Sequence, residues 1–304
     1  MTGSHADVVV VGDGPAGTAL AAACVARGVD VVLIGRDESW AATYSVWTDE
    51  LEDVPYATTL GSVMAYGARP HRIDREYGIL DNQQLRGRLR AGVPFVAGEV
   101  VGVKTGLTHH TLKLSTERLT CRLVVDATGW PPKLAPTARS RTAPAWQTAF
   151  GVVLPEPPDG ELGAPTLMDF RPAPVGGGVP DDQPTFAYAL AVTDGWLVEE
   201  TVLAARPAIE PDRLVARLAA RLGTVPERLL DVAVRTERVR IPMGGPAAAR
   251  DQPVVAFGAA AGYVNPATGY SVAASRRAAA RVAEAAETAL GAPADLAADW
   301  RTVW

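Results

Sequence analysis

One hexapeptide limits what this chain can fold into more than any other feature: Gly12-Asp13-Gly14-Pro15-Ala16-Gly17. Directly before it stand Val8, Val9, Val10 and Val11, a β-branched run that marks a strand buried on both faces. Residues 15–27 are Ala-rich, Gly28 is placed as a C-cap, and 29–34 reads as a second strand. In such a β-α-β unit Gly12 permits the tight turn, Gly14 lets the backbone approach a pyrophosphate, and Gly17 lets helix and strand pack closely. The helix that Pro15 and Ala16 open adds unpaired N–H groups and partial positive charge. The motif therefore predicts an α/β, Rossmann-type dinucleotide-binding domain, with Gly12, Gly14, Pro15, Ala16 and Gly17 binding the cofactor.

Two positions depart from the pattern. Asp13 puts a negative side chain beside a phosphate site and must point away from it. Gly35 stands where an acidic residue would end the second strand and hold the ribose hydroxyls. Asp37 serving from slightly later, or Arg36 contacting the cofactor, are the replacements at hand.

At 304 residues and 48% hydrophobic the chain can bury a large core or two packed lobes, which rules out disorder and coiled coil. With 29 basic against 34 acidic residues and no basic run longer than a pair, no nucleic-acid partner is expected. Cys24 and Cys121 lie far apart, and His5, His71, His109 and His110 form no ligand-like group with them, which argues against disulfide or zinc. The first residues, MTGSHA, carry no positive n-region, so a cytoplasmic protein is expected. Residues 252–275 carry no charge, but Pro253, Gly258, Gly262, Pro266 and Gly269 would break a spanning helix. That stretch reads as a buried strand, a glycine loop and the start of a helix.

Residues 35–95 look irregular around one helix at 82–90, and strands are expected at 95–103, 111–114 and 123–127. From 131 to 184 the chain is rich in proline and carries Gly-Gly-Gly at 176–178. Strand-like stretches at 146–154, 185–192 and 196–203 and a helix at 211–222 predict a second lobe on an antiparallel sheet. Nucleotide-domain texture returns at 254–258, and a helix at 268–290 ends the chain. The expected organisation is a discontinuous nucleotide-binding domain, 1–130 plus 241–304, with a substrate-binding lobe at 131–240 inserted. Many flavoproteins share that layout.

Two later glycine turns fit a flavin. Val124-Val125-Asp126-Ala127-Thr128-Gly129 is a strand ending in a small-residue turn, as where a flavoprotein chain passes its cofactor. Gly258 to Gly262 precedes Thr268-Gly269-Tyr270, placed at the start of the last helix. A helix N-terminus there would favour a reduced, anionic flavin. Gly258, Gly262, Thr268, Gly269, Tyr270 and Arg36 complete the candidate cofactor set.

Six blocks then carry a resemblance: residues 9–17, Tyr44-Ser45-Val46-Trp47-Thr48-Asp49-Glu50, Met168-Asp169-Phe170-Arg171, Glu199-Glu200-Thr201, Ile241-Pro242-Met243-Gly244-Gly245 and Asn265-Pro266-Ala267-Thr268-Gly269-Tyr270. In this order the chain resembles the lycopene β-cyclase family of flavoproteins, of two-lobed, aromatic-hydroxylase-like architecture. The resemblance implies FAD held reduced, and a redox-neutral reaction in which the end of a hydrophobic polyene is protonated and closed into a ring. It implies at most peripheral membrane contact, leaves room for an external flavin reductant, and makes Glu199 the candidate acid. Independently, adjacent carboxylates on a strand point to opposite faces, so only one of the catalytic candidates Glu199 and Glu200 can enter a cavity. Desolvation in an apolar pocket would keep that carboxyl protonated. Tyr44, Trp47, Trp146, Trp196 and Tyr188 are candidates for lining the cavity and facing a cation with their rings.

Members of the family generally run longer, with a C-terminal segment that completes the substrate lobe. Gly35, Asn265 and Ser271 stand where an acidic residue, His and Met are usual. These departures suit a smaller or more polar polyene, such as an intermediate of a specialised metabolite. The alternative is an FAD-dependent monooxygenase or epoxidase, against which stands Gly258-Ala259 in place of that architecture's Gly-Asp. A non-catalytic accessory protein, flavin-binding or flavin-free, is the third reading.

Overall fold

The computed structural model describes residues 4–106, 108–115, 117–137, 143–173, 183–246, 248–249 and 252–291. The glycine run at 176–178 and the chain after Gly291 lie outside them. The chain opens with β1 (Ser4–Val11), α1 (Pro15–Ala26) and β2 (Val31–Gly35). Next come β3 (Ser45–Trp47), β4 (Tyr56–Leu60), β5 (Val63–Tyr66), β6 (Pro70–Ile73), β7 (Tyr77–Leu80) and α2 (Asn82–Arg90). Then follow β8 (Phe95–Ala97), β9 (Val100–Thr105), β10 (His110–Leu114), β11 (Arg118–Asp126), β12 (Ala145–Leu154) and β13 (Thr166–Asp169). The chain continues with β14 (Thr185–Val192), β15 (Gly195–Ala205), α3 (Val215–Arg221), α4 (Pro226–Val232), β16 (Arg235–Met243), β17 (Val254–Ala256) and α5 (Val272–Gly291).

In the first sheet the parallel strands run β8, β2, β1, β11, β17, and β10 and β9 add an antiparallel edge. Numbered along the chain, the parallel set has the doubly wound order 3-2-1-4-5. The valine run now has its explanation. Val8 and Val10 pack on the side of α1 and α5, while Val9 and Val11 pack with Leu112, Leu119 and Val124 on the other. Cys24 and Cys121 are buried one on each side, and desolvation pushes both thiols up to about 12, which leaves them inert.

The second sheet runs β16-β12-β15-β14-β13-β5-β6. One face is closed by α3 and α4, with Phe150, Val152, Val198 and Val202 packed against Leu214, Leu218 and Leu229. The opposite face looks toward a three-stranded sheet, β3-β7-β4, to which Tyr188 on β14 is hydrogen-bonded through Ser45 on β3.

Several elements differ from expectation. Residues 35–95 hold five short strands, and the hairpin of β5 and β6 joins the second sheet although it lies within 1–130. Strands this short, with mixed polar content, show no alternation to read. The expected strand 95–103 is two, because β8 pairs with β2 and β9 with β10. The helix expected at 211–222 is a 3-10 turn (Pro211–Leu214) followed by α3. The last helix starts at Val272, not at Thr268. Asn265 holds the preceding turn closed: its Oδ1 accepts from the Ala267 and Thr268 amides at 2.9 and 3.3 Å, and its carbonyl accepts from the Gly269 amide at 2.8 Å.

Candidate active site

A cleft of about 440 Å³ opens at the point where strand order reverses, between the turn after β1 and the turn after β11. The three motif glycines divide its construction. Gly12 has φ +112°, and a Cβ there would run into the Ala127 carbonyl, while a Cβ on Gly17 would overlap the Gly12 carbonyl oxygen. A Cβ on Gly14 would meet nothing within 4 Å. Gly14 thus leaves open space at the N-terminus of α1, which no side chain caps. The opening fits a pyrophosphate.

The wall facing this turn is polar and rigid. Asp126 is fully buried at the end of β11, and its carboxylate accepts from the Thr128 amide and hydroxyl (3.0 and 2.6 Å) and from the Leu134 and Ala135 amides (2.6 and 2.8 Å). Across the cleft stands the first turn of α5, with Ser271, Val272 and Ser275. Ser275 is 1% exposed, and its Oγ has no hydrogen-bond partner among the described residues. An unpartnered buried hydroxyl on a cleft wall fits a bound polar ligand. Sequence reading missed it, although Ser271 and Ser275 fall one helical turn apart on the same face.

Of the candidate cofactor residues, Gly12, Gly14, Pro15, Ala16 and Arg36 line the cleft. Gly17 lies beneath it, packed on Gly12, and Gly258, at φ +65°, packs against Ala16. Gly262 is an exposed turn residue with φ +81°. Thr268, Gly269 and Tyr270 are not brought to the cleft, because their turn faces the second sheet: Gly269 lies against Gln147 and Ile241. Asp13 turns its carboxylate toward the end of β2, where Oδ2 accepts from the Asp37 amide at 3.0 Å. Asp37 itself is held below the usual carboxylate range by Arg86 and Arg90, at 2.5 and 3.2 Å.

The two adjacent glutamates occupy different environments. Glu200 faces α3, fully buried, with Arg221 Nε 2.7 Å from Oε2 and Thr185 Oγ1 2.5 Å from Oε1. Glu199 faces the opposite way, opposite Tyr188 on β14 and Gly151 on β12. Desolvation first, and then the charge of Glu237, raise its pKa from 4.5 to about 7, against one hydrogen bond from Thr201 Oγ1 at 2.9 Å. Around it lies a cluster of hydroxyls. Ser45 Oγ is 2.7 Å from the Tyr77 hydroxyl and 3.1 Å from that of Tyr188, and Tyr270 hydrogen-bonds Tyr77. Burial first, and then the neighbouring tyrosine of the cluster, holds Tyr188 and Tyr270 well above the usual tyrosine range, so both remain neutral donors. Trp47 packs edge-on against Tyr77 at 4.9 Å. The cluster adjoins the cleft at two points, since Tyr44 and Ser271, next in chain to Ser45 and Tyr270, line it.

Trp196 is not part of this group: it belongs to the helix-covered core, and its indole donates to the Leu162 carbonyl at 2.8 Å. Trp146 packs instead against Trp130 and Arg240. Asp49 and Glu50 pair with Arg75 at 2.6 and 3.2 Å, and Glu50 also faces Arg277 at 3.4 Å. Among the described residues no cluster of three metal-ligating side chains occurs, and no helix is long and apolar enough to cross a membrane.

The family described as "Lycopene cyclase protein" matches residues 7–304. A lycopene beta cyclase of Synechococcus elongatus is 34% identical over 98% of this chain and 77% of its own length. An uncharacterized carotenoid cyclase of Deinococcus radiodurans is 37% identical over 99% of this chain and 75% of its length. The chloroplastic lycopene beta cyclase of Nicotiana tabacum is 32% identical, with 65% of its length covered. Among solved structures, a geranylgeranyl bacteriochlorophyll reductase-like protein of Thermoplasma acidophilum superposes with a TM-score of 0.73 at 16% identity, covering 99% of this chain and 83% of that one. The flavin-dependent brominase Bmp2 does so at 0.69 and 14%, with the same coverage of both chains. The fold is therefore the two-lobed flavoprotein architecture, a Rossmann-type domain with an inserted lobe on an antiparallel sheet.

Proposed function

The chain belongs to the lycopene cyclase protein family, and we propose that it closes the end of a hydrophobic polyene, a carotenoid or a smaller relative, into a ring in an FAD-dependent reaction without net redox change. The observation that carries this reading is Glu199, a carboxyl held protonated to about pH 7 on the sheet face that meets the tyrosine cluster. The Gly12–Gly17 turn, Thr128, Arg36 and the Ser271–Ser275 face of α5 would hold FAD, with Gly14 admitting the pyrophosphate and Ser275 Oγ offering an unused hydrogen bond. FAD held reduced would supply negative charge beside a developing cation.

Glu199 gives its proton to a terminal double bond of the polyene. The adjacent cation is attacked by a second double bond of the same chain, forming the ring C–C bond; a neighbouring carbon then loses a proton to water, restoring an alkene, and the Glu199 carboxylate regains its proton from water. Atoms and electrons balance, and substrate and product are isomers. Tyr188 and Tyr77 would turn ring faces toward the cation, while the Trp47 ring already carries the Arg75 guanidinium at 4.6 Å. Glu199→Gln keeps the shape and removes the proton, so turnover should fall by about 10²- to 10⁴-fold while FAD binding persists. Unchanged turnover in this variant would move the acid elsewhere. A monooxygenase would instead consume one NAD(P)H per turnover and add one oxygen atom.

A further inference from the structure

Gly35 does not owe its lack of a side chain to backbone conformation, since its φ is not in the left-handed region. It owes it to Asp13. A Cβ on Gly35 would overlap the Cβ, Cγ and Oδ1 of Asp13, so the Asp13 carboxyl fills the space in which a side chain from the end of β2 would begin. Asp13 lines the cleft, and its side chain is 15% exposed. The other acidic residues on the cleft are committed: Glu38 pairs with Arg36 at 3.3 Å and Glu99 with Lys133 at 2.6 Å. Arg86 stands 3.8 Å from Asp13 but binds Asp37 at 2.5 Å. In a doubly wound dinucleotide domain the end of the second strand is where a carboxylate meets the ribose hydroxyls.

We propose that Asp13 is that carboxylate, supplied from the glycine turn instead of from the strand end, and that it accepts the hydroxyls of the adenosine ribose of FAD. The proposal rests on the reading of the cleft as an FAD site. It accounts for both departures of the motif at once: Gly35 must be glycine because Asp13 is not. Its Oδ2 is fixed by the Asp37 amide at 3.0 Å, which directs the carboxylate away from the phosphate turn and along the rim beside β2. A charge-assisted pair of hydrogen bonds to a vicinal diol is what such a fixed carboxylate provides.

The test is calorimetric binding of FAD, ADP and 2′,3′-dideoxy-ADP to the wild-type chain, Asp13→Asn and the exchange Asp13→Gly/Gly35→Asp. The wild type should bind FAD and prefer ADP to its dideoxy analogue. Asp13→Asn should weaken FAD and ADP roughly ten- to hundred-fold and leave the dideoxy analogue unaffected, and the exchange should restore both affinity and preference. Asp13→Asn binding FAD as the wild type does would overturn the proposal. So would an equal loss for ADP and its dideoxy analogue, which would make Asp13 only a brace of the turn. A wild-type chain that binds no FAD would instead overturn the cofactor reading beneath it.

Discussion

Glu199 and Glu200 share a peptide bond, and the pleat sends Glu200 to an ion pair and Glu199 to a site where no cation faces it among the described residues. Glu199, with its carboxyl raised to about 7, should support catalysis at full rate below that pH, with kcat falling roughly tenfold per unit above it. The same shift acts on stability. Between the unfolded value of 4.5 and about 7 the folded state holds a proton that the unfolded state has lost, so stability falls as pH rises through that window and levels beyond it. Glu199→Gln should flatten both profiles, measured by turnover and by denaturant unfolding across pH. Glu200→Gln should act differently: it takes the carboxylate from Arg221, 7% exposed, leaving that guanidinium the Arg171 carbonyl as acceptor and the charge of Asp169 nearby, and should cost about 1–3 kcal/mol in unfolding experiments while changing chemistry little. The opposition of two adjacent carboxylates is legible from strand periodicity alone. Which of them meets Arg221 is not, because that depends on where α3 packs, twenty-one residues along the chain.

At the scale of elements, the β1-turn-α1 unit was fully readable because its glycines answer to local geometry. They are not equivalent, which yields a prediction that separates fold from ligand. Gly17→Ala pushes a methyl into the Gly12 carbonyl and should destabilise the chain by about 1–3 kcal/mol with or without FAD. Gly14→Val extends into open space, so unfolding without FAD should stay near wild type while the rise in Tm on adding FAD disappears. Equal behaviour of the two variants in thermal melts would contradict the assignment. The helix begins at Val272 and not at Thr268 because Gly269 has φ +78°, outside the right-handed helix, in a turn whose Ala267, Thr268 and Gly269 amides donate to the Asn265 side chain and carbonyl. That delay puts Ser271 and Ser275 on the cleft and sends Tyr270 to the tyrosine cluster.

At the scale of the whole molecule, the second sheet gathers β5 and β6 from before its main run and β16 from after it, and the tyrosine cluster beside it adjoins the cleft through Tyr44 and Ser271. This long-range assembly was hidden because residues 63–73 lack the alternation that marks a strand half covered by a core. A carboxyl protonated to about pH 7 beside an aromatic cluster, joined to a dinucleotide cleft, makes acid-initiated closure of a polyene the central claim. The most direct test is mass spectrometry of the product formed from lycopene, or from a shorter acyclic polyene if lycopene is not turned over, by the enzyme with reduced FAD, without oxygen, in H₂O and in D₂O. The account predicts an isomer of unchanged mass in H₂O and one deuterium incorporated per ring in D₂O, with no NAD(P)H consumed and product formation suppressed in Glu199→Gln. A product heavier by one oxygen atom that forms only with oxygen and NAD(P)H, or a ring formed without deuterium, would contradict it.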